Sequence, residues 1–169
     1  MNRPTRAPTG APPESLVIEQ RRLGRYDIMY RVARGGMATV YLARLSAAQG
    51  FTKWVAIKTI HPHVADEPRY INMFLDEAKL AARINHPNVC TVFDFGESEG
   101  TYYLAMEYLH GQALSSVIPR AMSRGKLPTA IGARIVADAA RGLHAAHELR
   151  DAEGDPAGVV HRDRDAVAR

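Results

Sequence analysis

The sequence predicts an α+β fold, sheet-rich in its first half and helical in its second, and three observations support this. Up to residue 108 the apolar residues fall in short runs rich in β-branched and aromatic side chains, interrupted by one helical pattern. After Gly111 the apolar spacing becomes helical throughout. The 169 residues, 46% hydrophobic and 24% charged, have the length of one domain with a sizeable core and exclude wholesale disorder.

Four of the ten prolines fall within residues 1–13, among Ala, Thr and Gly. Such a segment buries too little apolar surface to offset its ordering entropy, so residues 1–24 are expected as a disordered tail. Residues 26–32 and 39–44 read as two strands around the flexible tip Ala33-Arg34-Gly35-Gly36-Met37-Ala38. Residues 54–60 make a third strand. Pro68 opens a helix in which Ile71, Phe74, Leu75, Ala78 and Ala82 recur at helical spacing, ended by Asn85-His86-Pro87-Asn88. Strands over 89–95 and 102–108 follow, joined by a polar turn. A short helix around Leu114, Val117 and Ile118 is expected to break near Pro119. A longer one starts at Pro128-Thr129, with the stripe Ile131, Ile135, Ala139, Leu143 and Ala146.

Charge and cysteine content narrow the function classes. Twenty-two Lys plus Arg against 18 Asp plus Glu gives +4, which permits an anionic partner without demanding a nucleic acid. The arginines are scattered, so no nucleic-acid partner is expected. A single cysteine, Cys90, excludes an internal disulfide framework and fits a reducing, cytoplasmic setting. No stretch approaches the roughly 20 apolar residues of a membrane span. The basic start has no apolar run behind it, so no secretion signal is expected.

Three features carry chemistry. Adjacent glycines at a hairpin tip let backbone N–H groups approach phosphate oxygens, although an ordinary turn has the same composition. Lys58 closes the run Val55-Ala56-Ile57-Lys58, where burial would desolvate it unless an anion stood opposite. Nineteen residues on, Glu77 lies beside the apolar stripe of the helix, where a solvated carboxylate is the plain alternative.

Taken in order, these residues resemble the amino-terminal half of a eukaryotic-like serine/threonine protein kinase of the bacterial type. The matching runs are residues 32–40, Val55-Ala56-Ile57-Lys58, Glu77 ahead of His86-Pro87-Asn88, and His161-Arg162-Asp163. The resemblance implies an antiparallel five-stranded amino-terminal lobe with one helix over residues 25–108, then a hinge and incomplete helical lobe over 109–169. It implies that Val32, Ala33, Arg34, Gly35, Gly36, Met37 and Ala38 cover the ATP phosphates. Lys58 would hold the α- and β-phosphates and pair with Glu77, while Val40 and Ala56 roof the adenine. Met106 would be the gatekeeper, and the backbone of Glu107 and Leu109 would bond the adenine edge. Asp163 would be the catalytic base that orients the acceptor hydroxyl.

Two departures from the family pattern stand out. Two loop glycines are replaced by Ala33 and Ala38, a small steric change. Five residues after Asp163, where the family has a metal-binding asparagine, stands Ala168, and no Asp-Phe-Gly follows. With no protein ligand assigned to Mg2+, the expectation is a truncated kinase domain without appreciable turnover. A partnering kinase-like module, binding nucleotide or another kinase without catalysis, stays open, as does a remnant without function. His144 with His147, and His61 with His63, lack a third metal ligand, and Cys90 reads as core.

Overall fold

The computed structural model describes residues 17–46, 50–151 and 153–159. A six-stranded, wholly antiparallel sheet dominates: β1 (Val17–Leu23), β2 (Tyr26–Arg34), β3 (Ala38–Ser46), β4 (Thr52–Ile60), β5 (Val92–Ser98) and β6 (Thr101–Glu107), in the order β1-β2-β3-β4-β6-β5. Two helices, α1 (Pro62–Ala65) and α2 (Pro68–Ala82), separate β4 from β5. Then come α3 (Leu114–Ser123) and α4 (Thr129–His147).

The sheet has one strand more than the five expected. Residues 17–23, read as the end of a disordered tail, pair antiparallel with β2 as an edge strand, from Val17 opposite Tyr30 to Leu23 opposite Tyr26. Composition missed them because their order comes from a partner strand, to which Leu23, 2% exposed, adds a buried anchor. Residues 1–16 of that expected tail lie outside the described residues.

Two apolar clusters cover the two faces of the sheet. Leu23, Tyr26, Ile28, Ala43, Val55, Ile57, Tyr103 and Ala105 form one. On the other face Ile60 and Leu104 pack against Val64, Phe74 and Ala78 from the helices. The alternation along β4 and β6 decides this division, since neighbouring residues of a strand point to opposite faces. The ring edge of Tyr26 meets Tyr103 at 5.8 Å between centroids, and the Tyr26 hydroxyl donates to Asp94 at 2.9 Å. Burial pushes the Tyr26 phenol up.

Other boundaries differ locally. The fourth expected strand is displaced toward the carboxyl end, from 89–95 to Val92–Ser98. Helix α3 runs through Pro119 instead of breaking there. The proline forfeits one helical hydrogen bond to the Ser115 carbonyl, and Ser115 is exposed, so water can take that group. Helix α1, which sequence spacing did not suggest, is a single turn with Pro62 in its first position.

Helix α4 buries one residue, Gly142. Its backbone lies against the loop 86–88, where the Asn88 side-chain amide donates to the Asp138 carbonyl at 2.9 Å. Its apolar stripe is largely uncovered: Ile131, Ala139 and Leu143 are exposed, as are Val136 beside the stripe and Leu114, Ile118 and Met122 on α3.

Candidate active site

The site is built on the sheet face that carries α2. Lys58 stands at the seventh position of β4, with Val40 of β3 opposite it on one side and Leu104 of β6 on the other. The Lys58 Nζ donates to Glu77 Oε1 at 2.7 Å. Burial differs across the pair: the lysine side chain is 25% exposed and the glutamate 57%. The ammonium also lies 5.7 Å from the centre of the buried Phe74 ring, one helical turn before Glu77. The anion expected opposite the buried lysine is therefore a helix carboxylate that keeps one side to solvent.

The same face carries the other expected nucleotide contacts. Ala56 sits two residues before Lys58 on β4 and pairs with Met106 of β6, so both project beside the lysine. Val40 is half-buried and Ala56 nearly buried. Together they place apolar side chains next to the cation, a setting that suits an aromatic base joined to phosphates.

The glycine tip is narrower than expected. Val32, Ala33 and Arg34 belong to β2 and Ala38 to β3, leaving Gly35, Gly36 and Met37 as the turn, closed by a Gly35 N–H to Ala38 carbonyl bond of 2.9 Å. A β-carbon on Gly36 would meet nothing within 4 Å, so the space beside it is open. Val32 and Met37 are exposed.

At the other rim, the Glu107 N–H is already engaged, donating to the Thr91 carbonyl at 2.8 Å. The Glu107 carbonyl accepts the Cys90 thiol at 3.4 Å. Burial and then the Glu107 carboxylate push the Cys90 thiol up, which leaves it a poor nucleophile; it is half-buried ahead of β5 and belongs to neither core cluster, so its reading as core is corrected. Leu109 follows in the exposed segment beyond β6. Asp163, with His161 and Arg162, lies outside the described residues. Among the described residues no three His, Cys, Asp or Glu side chains converge.

Two participants were not legible in the sequence. Phe74 was taken for core alone. His61, set aside for want of a third metal ligand, is buried and reaches both Thr39 and the glycine tip. Neither contact has a local signature, because both join residues more than twenty positions apart or on different elements.

Comparison with known proteins identifies the family of this fold. The family model described as "Protein kinase domain" matches residues 26–164. The tyrosine-protein kinase MasK of Myxococcus xanthus is 44% identical over 141 residues, covering 83% of this chain and 22% of MasK. The serine/threonine-protein kinase PksC of Streptomyces coelicolor is 35% identical, covering 83% of this chain and 24% of PksC. The chain thus spans about a quarter of the length of these relatives or less. Among solved structures, the kinase domain of Mycobacterium tuberculosis PknI superposes with a TM-score of 0.60 at 28% identity, covering 78% of this chain and 52% of that one. From residue 26 to residue 164, then, the chain belongs to the protein kinase family, as a catalytic domain of the bacterial type.

Proposed function

We propose that this chain is the ATP-binding part of a serine/threonine protein kinase. The observation that carries the reading is the 2.7 Å Lys58–Glu77 pair, set beside the apolar surface of Val40, Ala56 and Met106. Lys58 holds the α- and β-phosphates, and Glu77 keeps its ammonium on the nucleotide side. The turn Gly35-Gly36-Met37, with Val32, Ala33, Arg34 and Ala38 flanking it, covers the phosphates. Because the Glu107 N–H is engaged, Glu107 serves the adenine edge through its carbonyl, and Leu109 serves it through its N–H. In the family reaction the acceptor oxygen attacks the γ-phosphorus, the bond to ADP breaks, and the hydroxyl proton passes to a carboxylate, here Asp163.

Serine and threonine are the proposed acceptors because most of the similar kinases carry that name, although MasK is called a tyrosine kinase. The single Cys90 supports work in a reducing cytoplasm, and scattered arginines support protein substrates over nucleic acid. Magnesium, when bound, neutralises phosphate charge in this family. Five residues after Asp163, where the family has a metal-binding asparagine, this chain has Ala168, which offers no ligand to the metal.

Ala168 favours a second reading, in which this chain binds nucleotide or a partner kinase without transferring phosphate. Thermal melts with and without MgATP test the first step. At a hundred times its dissociation constant, ATP should add about 2.7 kcal/mol, or roughly 5–10 °C. Lys58→Ala should abolish that shift. A wild-type melt indifferent to ATP would reject the proposal, and transfer of labelled phosphate to a protein acceptor would decide between the two readings.

A further inference from the structure

His61 follows β4 directly and is 8% exposed. Its Nδ1 lies 3.1 Å from the Gly36 carbonyl, its Nε2 lies 2.8 Å from the Thr39 hydroxyl, and its backbone N–H donates to the Met37 carbonyl at 2.9 Å. A carbonyl only accepts, so Nδ1 carries a proton and donates to Gly36, while Nε2 pairs with the Thr39 hydroxyl. One side chain thus grips the glycine turn and its following strand at once.

The direction of this grip matters for phosphate. Along β3, Thr39 points away from the face of Val40, and Val40 is paired with Lys58. The ring bonded to Thr39 therefore occupies the sheet face opposite the lysine. The Gly36 carbonyl is drawn toward that ring. In a trans peptide the C=O and the next N–H point in opposite directions, and no cis peptide occurs among the described residues. With its carbonyl held on the outer face, the Gly36–Met37 peptide turns the Met37 N–H toward the face of Lys58. A peptide flipped the other way would present a carbonyl oxygen to phosphate and repel it.

We propose that His61 is a positioning residue of the phosphate turn: through Gly36 it holds the Met37 N–H in the orientation that meets a nucleotide's phosphate. The inference rests on the ATP-binding reading above, deepening it by one residue that touches no nucleotide itself.

Two substitutions separate the two ring contacts. An asparagine amide can take the place of Nδ1, and a glutamine amide that of Nε2, so His61→Asn keeps a donor for Gly36 while His61→Gln keeps the Thr39 link. Dissociation constants for ATP and for adenosine are measured on the full chain, with a melt of each variant to verify folding. His61→Gln should weaken ATP about tenfold and leave adenosine unchanged, since one hydrogen bond to a charged group is at stake. His61→Asn should recover most of that loss. Unchanged ATP affinity in His61→Gln overturns the proposal, as does an equal loss for ATP and adenosine, which marks a merely structural role. An ATP loss in His61→Asn matching that of His61→Gln also overturns it. Wild-type chain that binds no ATP removes the underlying reading as well, and is recognised without any variant.

Discussion

Gly142 of α4 lies so close over the Asn88 carbonyl that a β-carbon built on it would come within 2.7 Å of that oxygen. The contact is backbone to backbone, and it joins the second-half helix to the loop between α2 and β5. Only a residue without a side chain permits it.

Gly142→Ala should therefore destabilise the chain, even though alanine is favoured over glycine in a helix interior by up to about 1 kcal/mol. The displaced helix should cost about 1–3 kcal/mol. Gly132, in the same helix, supplies the control. A β-carbon there would meet the Leu127 side chain at an ordinary 3.7 Å, so Gly132→Ala should be neutral or stabilising. Urea titrations of the two variants check the opposite signs.

Glu77→Gln should barely alter the melting temperature of the free chain. The carboxylate is 57% exposed, and ion pairs of that kind contribute about 0–1 kcal/mol. The ATP-induced shift should nevertheless shrink, because Lys58 loses the partner that orients it. A variant that melts normally and keeps the full ATP shift would show that Glu77 is only a surface carboxylate.

Asp138 is gripped by two cations of its own helix, Arg134 at 2.6 Å and Arg141 at 2.8 Å. The hydrogen bond from Arg134 leads the effects that hold its carboxyl below the usual range. A depressed folded value means stability that is present above the unfolded value and lost as pH falls through the folded one. The wild-type chain should thus lose more stability than Asp138→Asn on descending through the acid side of the carboxylate range, and the two should run parallel near neutrality. Melts across that range, repeated in high salt, test this, since exposed pairs weaken by screening.

The uncovered side chains of α3 and α4 should bind an apolar dye in the native state. Val136, 69% exposed, is the simplest to alter. Val136→Gln should change stability by no more than about 0.5 kcal/mol while lowering dye binding and association at high concentration. A large loss of stability would show that this side chain is packed in solution.

Element order, the glycine turn, Lys58 and Glu77 were legible in the sequence because each rests on local spacing: alternation in strands, the 3.6-residue period in α2, and adjacent glycines at a turn. The pairing of Lys58 with Glu77 was implied by the family resemblance, not by those regularities, and the packing of α2 on the sheet brings the two together. Strand β1 was not legible, since an edge strand of ordinary polar composition is ordered by its partner and not by its own pattern. Nor were the grip of His61 on Gly36, the close approach of Gly142 to Asn88, or the Tyr26–Asp94 bond. Each joins residues 25 to 68 positions apart, and such contacts form only once the sheet register and the helix packing have set the distances between them. Local pattern by itself determined the glycine turn, the strand that carries Lys58 and the helix that carries Glu77. The tertiary structure alone decided how that turn is held, because its contacts to His61 depend on the register of β3 against β4.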